Sequence, residues 1–557
     1  MLLQSDFLLL TFMAEPPITH RFNRDLLRVA AIASVVSLLS FLYYFQHAQI
    51  LLYGDAVAHM NIARRVFDSQ TPGLLQLGTV WLPLPHLLMI PLLLSHSMWQ
   101  SGLAGSLPSM IAYVLGVVGV FRLVRGLLAS DVRTGLAAEI SAWVAAFVYA
   151  ANPNLIYLQT TAMTESLYLA LFVWATVYFA ESVRTLTNDL PEKVEASAPL
   201  FRCGLCLAAA EFTRYDGWFL SATVGAIVSV LAIQRWSNRV LRRSAIKFLL
   251  AIAAVPLLWL AYNATVYGNP LEFANGPYSA KAIQRQSAAL NPAENHVAIA
   301  ASYFLKSAEL NMAPGAWGRL WVVTTVSALG FALWRSRAQA ATFLLLCMPV
   351  AFYGFSIAHG GVPLYVPSWW PFTWYNIRYG LQLLPLFSVA AGILIAAPLT
   401  TGKRSARWLA AAVMALAAFS YVSIWRTQPL CFTEAWVNSR TRIALESAVE
   451  RAIAVRPPNA RFLMYLGDHA GIFQQAGIPL RQVVNEGNHR PWKKPSDPSG
   501  LWERALADPP QYTDYVIAFD GDTVDRSVNR TRLTLLDEIH VTGQPRARIY
   551  ATQAGAP

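Results

Sequence analysis

The feature that most constrains this chain is a succession of apolar segments running from near its start to residue 425. They read at 26–46, 106–128, 137–151, 161–182, 200–213, 217–234, 246–267, 317–334, 339–358, 377–398 and 408–425. Most approach the roughly 20 residues that a helix needs to cross a hydrocarbon core about 30 Å thick, where a backbone must satisfy its own hydrogen bonds. The segments 137–151 and 200–213 are the shortest. The stretch 81–98 is apolar but broken by Pro83, Pro85, His86 and Pro91, and reads as an interfacial or re-entrant segment. With 55% hydrophobic and 13% charged residues, the sequence cannot cover a soluble surface. The expected class is a polytopic α-helical membrane protein with about 11 transmembrane helices.

Lysine and arginine set the orientation. With a cytoplasmic N-terminus, the inside segments collect 19 of the 28 basic residues up to position 426, among them Arg21, Arg24, Arg133, Lys193, the run Arg239 to Lys247, and Lys403. The net charge of +12 therefore reports topology, and no nucleic-acid partner is needed to explain it. A plasma (inner) membrane protein with its C-terminus outside is the expectation. Four cysteines are too few for a disulfide framework, and the Cys203-x-x-Cys206 pair lies in an apolar run without a second pair.

Beyond Arg426 prolines, charges and turn residues replace the apolar runs. The expected organisation is a cytoplasmic segment 1–25, a transmembrane domain 26–426 with its first outer loop at 47–105, and a soluble extracytoplasmic domain 427–557. Strands are expected at Phe462–Leu466, Gln482–Val484, Tyr515–Phe519 and Arg548–Tyr550, with a helix from Trp436 to Val455, making a small α/β or α+β unit. Asp520-Gly521-Asp522 lacks the further ligands of a calcium loop and reads as a turn.

Polar residues that are costly beside a bilayer fall on the outer face. Asp55 and His59 stand four residues apart in the first outer loop, Glu165 opens the fourth span, and Glu211, Arg214 and Asp216 lie at the turn between spans five and six. His359 ends the ninth span, and Arg378 and Tyr379 begin the tenth. Each has a plain structural alternative. Asp55 could cap a helix, Glu165 and Arg214 could pair as structural glue, Asp216 could close a turn, and Arg378 could snorkel.

Taken together, an acidic first outer loop, an acid opening a later span, Thr213-Arg214-Tyr215-Asp216, and Asn376-Ile377-Arg378-Tyr379 followed by Pro385 resemble the membrane glycosyltransferases of the C fold. The resemblance is to the family 39 group, which includes protein mannosyltransferases and lipid A aminoarabinose transferases, and it is strongest at 53–91. It implies a sugar donor carried on a polyprenyl phosphate, with Asp55 in the place of the catalytic acid. The acceptor would be a lipid, polysaccharide or protein reached from the outer side. Protein mannosyltransferases often show an acidic pair in this loop, whereas Ala56 follows Asp55 here.

Elementary chemistry points the same way. Transfer from a phosphate needs a base for the acceptor hydroxyl as the anomeric carbon becomes cation-like, and a fixed guanidinium for the leaving phosphate. Asp55 is the expected base, with Glu165 and His59 beside it as further catalytic candidates. Arg378, Arg214 and Tyr379 are expected at the phosphate, and Asp216 and His359 at the substrate. Asp55, Glu165, Asp216 and His359 could also serve a divalent cation, although their spacing dictates no metal. A secondary transporter or a non-catalytic envelope scaffold is the alternative; a transporter would gather its ionisable residues near the bilayer midplane.

Overall fold

The computed structural model describes residues 17–128, 135–187, 197–277, 279–282, 291–335, 337–361, 363–401, 404–467, 469–488 and 499–552. Most of the segment 1–25 lies outside the described residues, as do Arg133, Lys193 and Lys403 of the basic inside set.

The chain is a polytopic helical membrane protein. Among the described residues nine helical stretches are long and apolar enough to cross a membrane, beginning with Asn23–Gln46 and Leu103–Leu128. The two shortest apolar segments also form helices, Gly135–Ala150 and Ser197–Glu211, of 16 and 15 residues. At about 1.5 Å per residue these fall short of a ~30 Å core. Gly135–Ala150 packs one face against the bundle while Leu136, Ile140 and Phe147 stay exposed, and Gly392 of the Leu384–Thr401 helix is one reason it fits. A Cβ at Gly392 would stand 2.9 Å from the Ser141 carbonyl oxygen and 3.1 Å from Ala145, so the glycine permits the close helix approach typical of membrane interfaces.

The apolar stretch at 81–98 forms two short helices, Leu84–Leu93 and His96–Ser101, the second capped by the Ser95 hydroxyl. A helix at Val297–Met312 was not expected, because Lys306, Glu309 and Asn311 interrupt its apolar pattern. It supports the turn that carries Arg378. Ser307 Oγ donates to the Ile377 carbonyl at 2.6 Å, and Asn311 Nδ2 donates to the same oxygen at 2.8 Å. The contact is so close that a Cβ at Gly380 would lie 2.5 Å from the Ala308 nitrogen.

The tail folds on a five-stranded sheet. In chain order its strands are β1 (Phe462–Met464), β2 (Val483–Val484), β3 (Tyr515–Phe519), β4 (Leu533–Ile539) and β5 (Ala547–Thr552), and their spatial order is β2-β1-β3-β5-β4. The first three run parallel, whereas β5 pairs antiparallel with both β3 and β4. The parallel strands are buried throughout, as expected when both faces are covered. β4 escaped the sequence reading because it is a half-exposed edge strand, Leu-Thr-Leu-Leu-Asp-Glu-Ile, whose charges blunt the edge. The turn at Asp520-Gly521-Asp522 caps a short helix, with the Asp522 carboxylate accepting from the Asp525 backbone nitrogen at 2.6 Å.

The helix that opens the tail runs over Leu430–Ala454, six residues earlier than the expected start. Through this helix, the short helix Gly471–Ala476 and the 3-10 turn Leu480–Gln482, the tail clamps the segment that follows the first span. Arg442 donates to the Leu52 carbonyl at 2.9 Å and pairs with Glu446 at 2.7 Å. Gln474 accepts from Asn61 at 3.0 Å and donates to the Trp99 carbonyl at 2.8 Å. Asp68 pairs with Arg64 at 2.8 Å and accepts from the backbone nitrogens of Leu480 and Arg481. The helix that bears Asp55, Gly54–Arg65, is thus held by both the bundle and the tail.

Candidate active site

Three helix starts and one tight turn deliver most of the charged side chains to one place. Asp55 lies in the first turn of Gly54–Arg65, Glu165 begins Glu165–Thr187, and Asp216 lies in the first turn of Tyr215–Gln234. Carboxylates at these positions are favoured by the helix dipole. Arg378 sits in the 3-10 turn Ile377–Leu383, which follows Asn376 in the left-handed region at φ 56°. Asparagine tolerates that conformation, and its side-chain amide donates to the Pro363 carbonyl at 2.8 Å.

Arg378 is the hub. Its Nη2 meets Asp55 Oδ2 at 2.6 Å, its Nε meets Glu165 Oε1 at 3.1 Å, and its Nη1 faces Glu434 Oε1 at 3.6 Å. Glu165 also receives Nη1 of Arg214 at 3.4 Å and so bridges the two guanidiniums. Arg214 is otherwise taken up by the protein. Nε donates to Asp216 at 3.2 and 3.3 Å, Nη1 to the Thr164 hydroxyl at 3.1 Å, and Nη2 to the Tyr353 hydroxyl at 2.9 Å. The Tyr379 ring lies between the two cations, 4.7 Å from Arg214 and 5.1 Å from Arg378, in cation–π geometry.

Four carboxylates therefore share two guanidiniums. Glu165, Asp216 and Glu434 are almost wholly buried, whereas the Asp55 side chain is 42% exposed. Buried ionised groups survive only when paired and hydrogen-bonded, and three of these are. The second oxygen of Glu165 is buried with no hydrogen-bond partner among the described residues. Asp55 is the one acid of the four that presents itself to an incoming molecule.

Glu434 was missed by the sequence reading, which assigned it to the soluble tail. It accepts from the Tyr53 hydroxyl at 3.0 Å and from the Ile377 backbone nitrogen at 3.3 Å. The available signal was its isolation, a single acid in the otherwise uncharged stretch 427–439 directly after the last span.

His59 and His359 stand differently from expectation. His59 is buried one helical turn from Asp55, yet its ring turns to His86, with Nδ1 2.9 Å from His86 Nε2, and packs against Trp81. Burial, followed by the Arg378 and Arg214 charges, pushes the His59 pKa down to about 3, and burial followed by His59 and Arg65 lowers that of His86. Both rings are neutral near pH 7, one donating its N–H to the other. His359 caps Met348–Ala358 at the exposed surface, its ring 4.3 Å from Phe355, and is not part of the charged group.

The neutral histidine pair predicts an acid sensitivity. The unfolded chain takes up protons at these positions near pH 6.5, whereas the folded His59 ring does so only near 3. Stability is then full above the unfolded pKa and falls as the pH drops below it, by up to about 1.4 kcal/mol per pH unit for each ring. The thermal midpoint of the purified chain should decline on acidification, and His86→Gln should flatten that decline. Equal slopes in parent and variant would mean that the pair is not held neutral.

Among the described residues no group of three or more His, Cys, Asp and Glu side chains is arranged to hold a metal ion. Arg378 stands between Asp55, Glu165 and Glu434, and Arg214 between Glu165 and Asp216.

No family model matches the sequence, and no curated protein matches it. Solved structures do. The chain superposes on ArnT from Cupriavidus metallidurans bound to undecaprenyl phosphate with a TM-score of 0.56 at 13% identity, covering 95% of this chain and 99% of that one. The chain has the C fold of membrane glycosyltransferases. The apo form of the same ArnT agrees at a TM-score of 0.52, over 96% of this chain and 100% of that one. The Archaeoglobus fulgidus oligosaccharyltransferase in its apo form matches at 0.52 and 13% identity, over 89% of this chain and 69% of that one. The match to ArnT along both whole chains takes the tail as well as the bundle into this C-fold architecture.

Proposed function

We propose that this protein is an integral-membrane glycosyltransferase that moves a sugar from a polyprenyl-phosphate donor to an extracytoplasmic hydroxyl. The observation that carries the reading is the Asp55–Arg378 pair, an accessible carboxylate on a guanidinium that buried acids hold in place. Base and phosphate site thus adjoin, as the reaction requires. Support for the donor class comes from the shared fold with a protein solved bound to undecaprenyl phosphate.

In this mechanism the acceptor oxygen attacks the anomeric carbon as its proton passes to Asp55. The bond from that carbon to the phosphate oxygen breaks, and its electron pair leaves with the polyprenyl phosphate. Negative charge growing on the phosphate is met by Arg378, a preorganised donor that needs no reorientation at the moment of transfer. Arg214, whose nitrogens are already engaged, acts as a positioning residue that fixes Glu165, Asp216 and Tyr379. Glu165 holds both guanidiniums and is the acid next in line after Asp55. No step is assigned to His359, and none is routed through a cation. A transporter reading fits less well, because these charges stand at helix starts rather than beside broken helices at a midplane.

Comparing cell-envelope glycans by mass, with and without the gene, tests this reading and identifies the acceptor. Loss of one sugar from a lipid, polysaccharide or protein is expected; unaltered glycans contradict it. The placement is part of the proposal: plasma (inner) membrane, N-terminus inside, tail 427–557 outside. A reporter fused after Pro557 should be active only when exported, and activity restricted to the cytoplasm would invert the topology.

A further inference from the structure

The three partners of Arg378 differ in one respect that governs how the site can load. Glu165 on Nε and Glu434 on Nη1 have side chains 1% exposed, whereas Asp55 on Nη2 is 42% exposed. Two buried acids thus hold the back of the guanidinium, and one accessible acid covers the nitrogen that faces outward. Arg214 offers no comparable position, since each of its nitrogens already donates to a protein oxygen. An anion arriving from outside meets one guanidinium nitrogen whose present partner can move without unburying a charge.

We propose that the donor phosphate and Asp55 exchange on Nη2 of Arg378, so that loading the donor is what frees the base. The proposal rests on the glycosyltransferase reading above. Adding a phosphate to a site that already holds four carboxylates and two guanidiniums would crowd like charges around Arg378. Exchange keeps the number of anions touching that cation constant. Before loading, Asp55 is tied to Arg378, with its Oδ2 taken up by Nη2 at 2.6 Å and turned away from an acceptor hydroxyl. After loading it is free beside the anomeric carbon. The proton from the acceptor hydroxyl then goes to Asp55, the new carbon–oxygen bond forms, and the old one breaks with its electron pair to the phosphate still on Nη2. Departure of the polyprenyl phosphate lets Asp55, once its proton is lost to water, return to Arg378. Glu434 has a defined part here as a positioning residue, since it keeps the guanidinium from following Asp55 outward.

The test is binding rather than turnover, with purified full-length chain in detergent and two probes, a short-chain prenyl monophosphate and inorganic phosphate, measured by calorimetry. Asp55→Asn removes the competitor and should bind the prenyl phosphate roughly 10-fold tighter than the parent, the scale of one charge-assisted hydrogen bond. Inorganic phosphate should follow the same order, more weakly if the lipid contributes. Glu434→Gln removes an equal charge from behind the guanidinium and should change affinity by less than about 3-fold. Equal tightening in both variants would mean that only long-range charge is at work and would overturn the exchange. Unchanged or weakened binding by Asp55→Asn would overturn it too. If Glu434→Gln fails to fold, salt makes the same distinction: the ratio of Asp55→Asn to parent affinity should persist from about 0.1 M to about 1 M salt, and its collapse would mark a screened, long-range effect. Sugar transfer does not enter this measurement, so a chain that binds in this order yet transfers nothing fails the transferase reading alone.

Discussion

Replacing Asp55 by asparagine should leave the protein folded and slow sugar transfer by about 10² to 10⁴, the usual contribution of a general base. Asparagine keeps the size of the side chain and suits a helix start as well as aspartate does, so a residue that merely capped Gly54–Arg65 would show little change. The ion pair it breaks is partly solvated, and exposed pairs contribute only about 0–1 kcal/mol. Arg378 retains two buried partners in the variant. The check is the initial rate in membranes holding equal amounts of folded variant and parent. Near-parental turnover would remove Asp55 from the chemistry and move the base to Glu165. His59→Ala should cost less than Asp55→Asn, because its ring faces His86 and no hydrogen bond joins it to the acid.

Arg378→Ala should act on stability as well as on rate. Without the guanidinium, Glu434 keeps its burial but loses its cation, and Glu165 is left with Arg214 alone. Removing one partner of a buried pair typically costs about 3–5 kcal/mol, because the remaining charge stays unpaired. The thermal midpoint in detergent should fall clearly, and transfer should be lost with the phosphate site. Arg378→Lys separates the two effects. It restores a charge but lacks the planar fork, so it should recover much of the stability while use of the lipid donor stays weakened by about 1–3 kcal/mol, the value of a charge-assisted hydrogen bond. An unaltered midpoint in Arg378→Ala would show that the surrounding carboxylates do not depend on this cation; unaltered donor kinetics in Arg378→Lys would reduce Arg378 to a residue at a span end.

The membrane bundle was legible because apolar length is a local property, and the membrane imposes it on each crossing helix separately. The two segments that proved too short to count as full spans, 137–151 and 200–213, are helices all the same. Val297–Met312 was not legible, since a helix that supports a turn inside the protein mixes polar and apolar residues. In the tail, the strands buried on both faces stood out and the half-exposed β4 did not.

For the site, sequence singled out Asp55, Glu165, Arg214, Asp216, Arg378 and Tyr379 as unusual near a bilayer, and the fold gathers all six. What it could not give was the pairing. Arg214 and Arg378 look equivalent as lone arginines at span ends, and only the geometry separates the one enclosed by Asp216, Thr164 and Tyr353 from the one whose partner is exposed. Glu434 was hidden by the change in composition at residue 427, which does not mark where the site ends. His359 met the same test of polarity at a span end and lies apart from the group.

Donor consumption by the purified full-length chain in lipid vesicles probes the central claim most directly. With a polyprenyl-phosphate sugar labelled in the sugar and extracts of the cell envelope as acceptor, the parent should release one free polyprenyl phosphate for each sugar transferred, and Asp55→Asn should release almost none. Parent vesicles that leave the donor intact, or an Asp55→Asn chain that consumes it at the parental rate, would contradict the account.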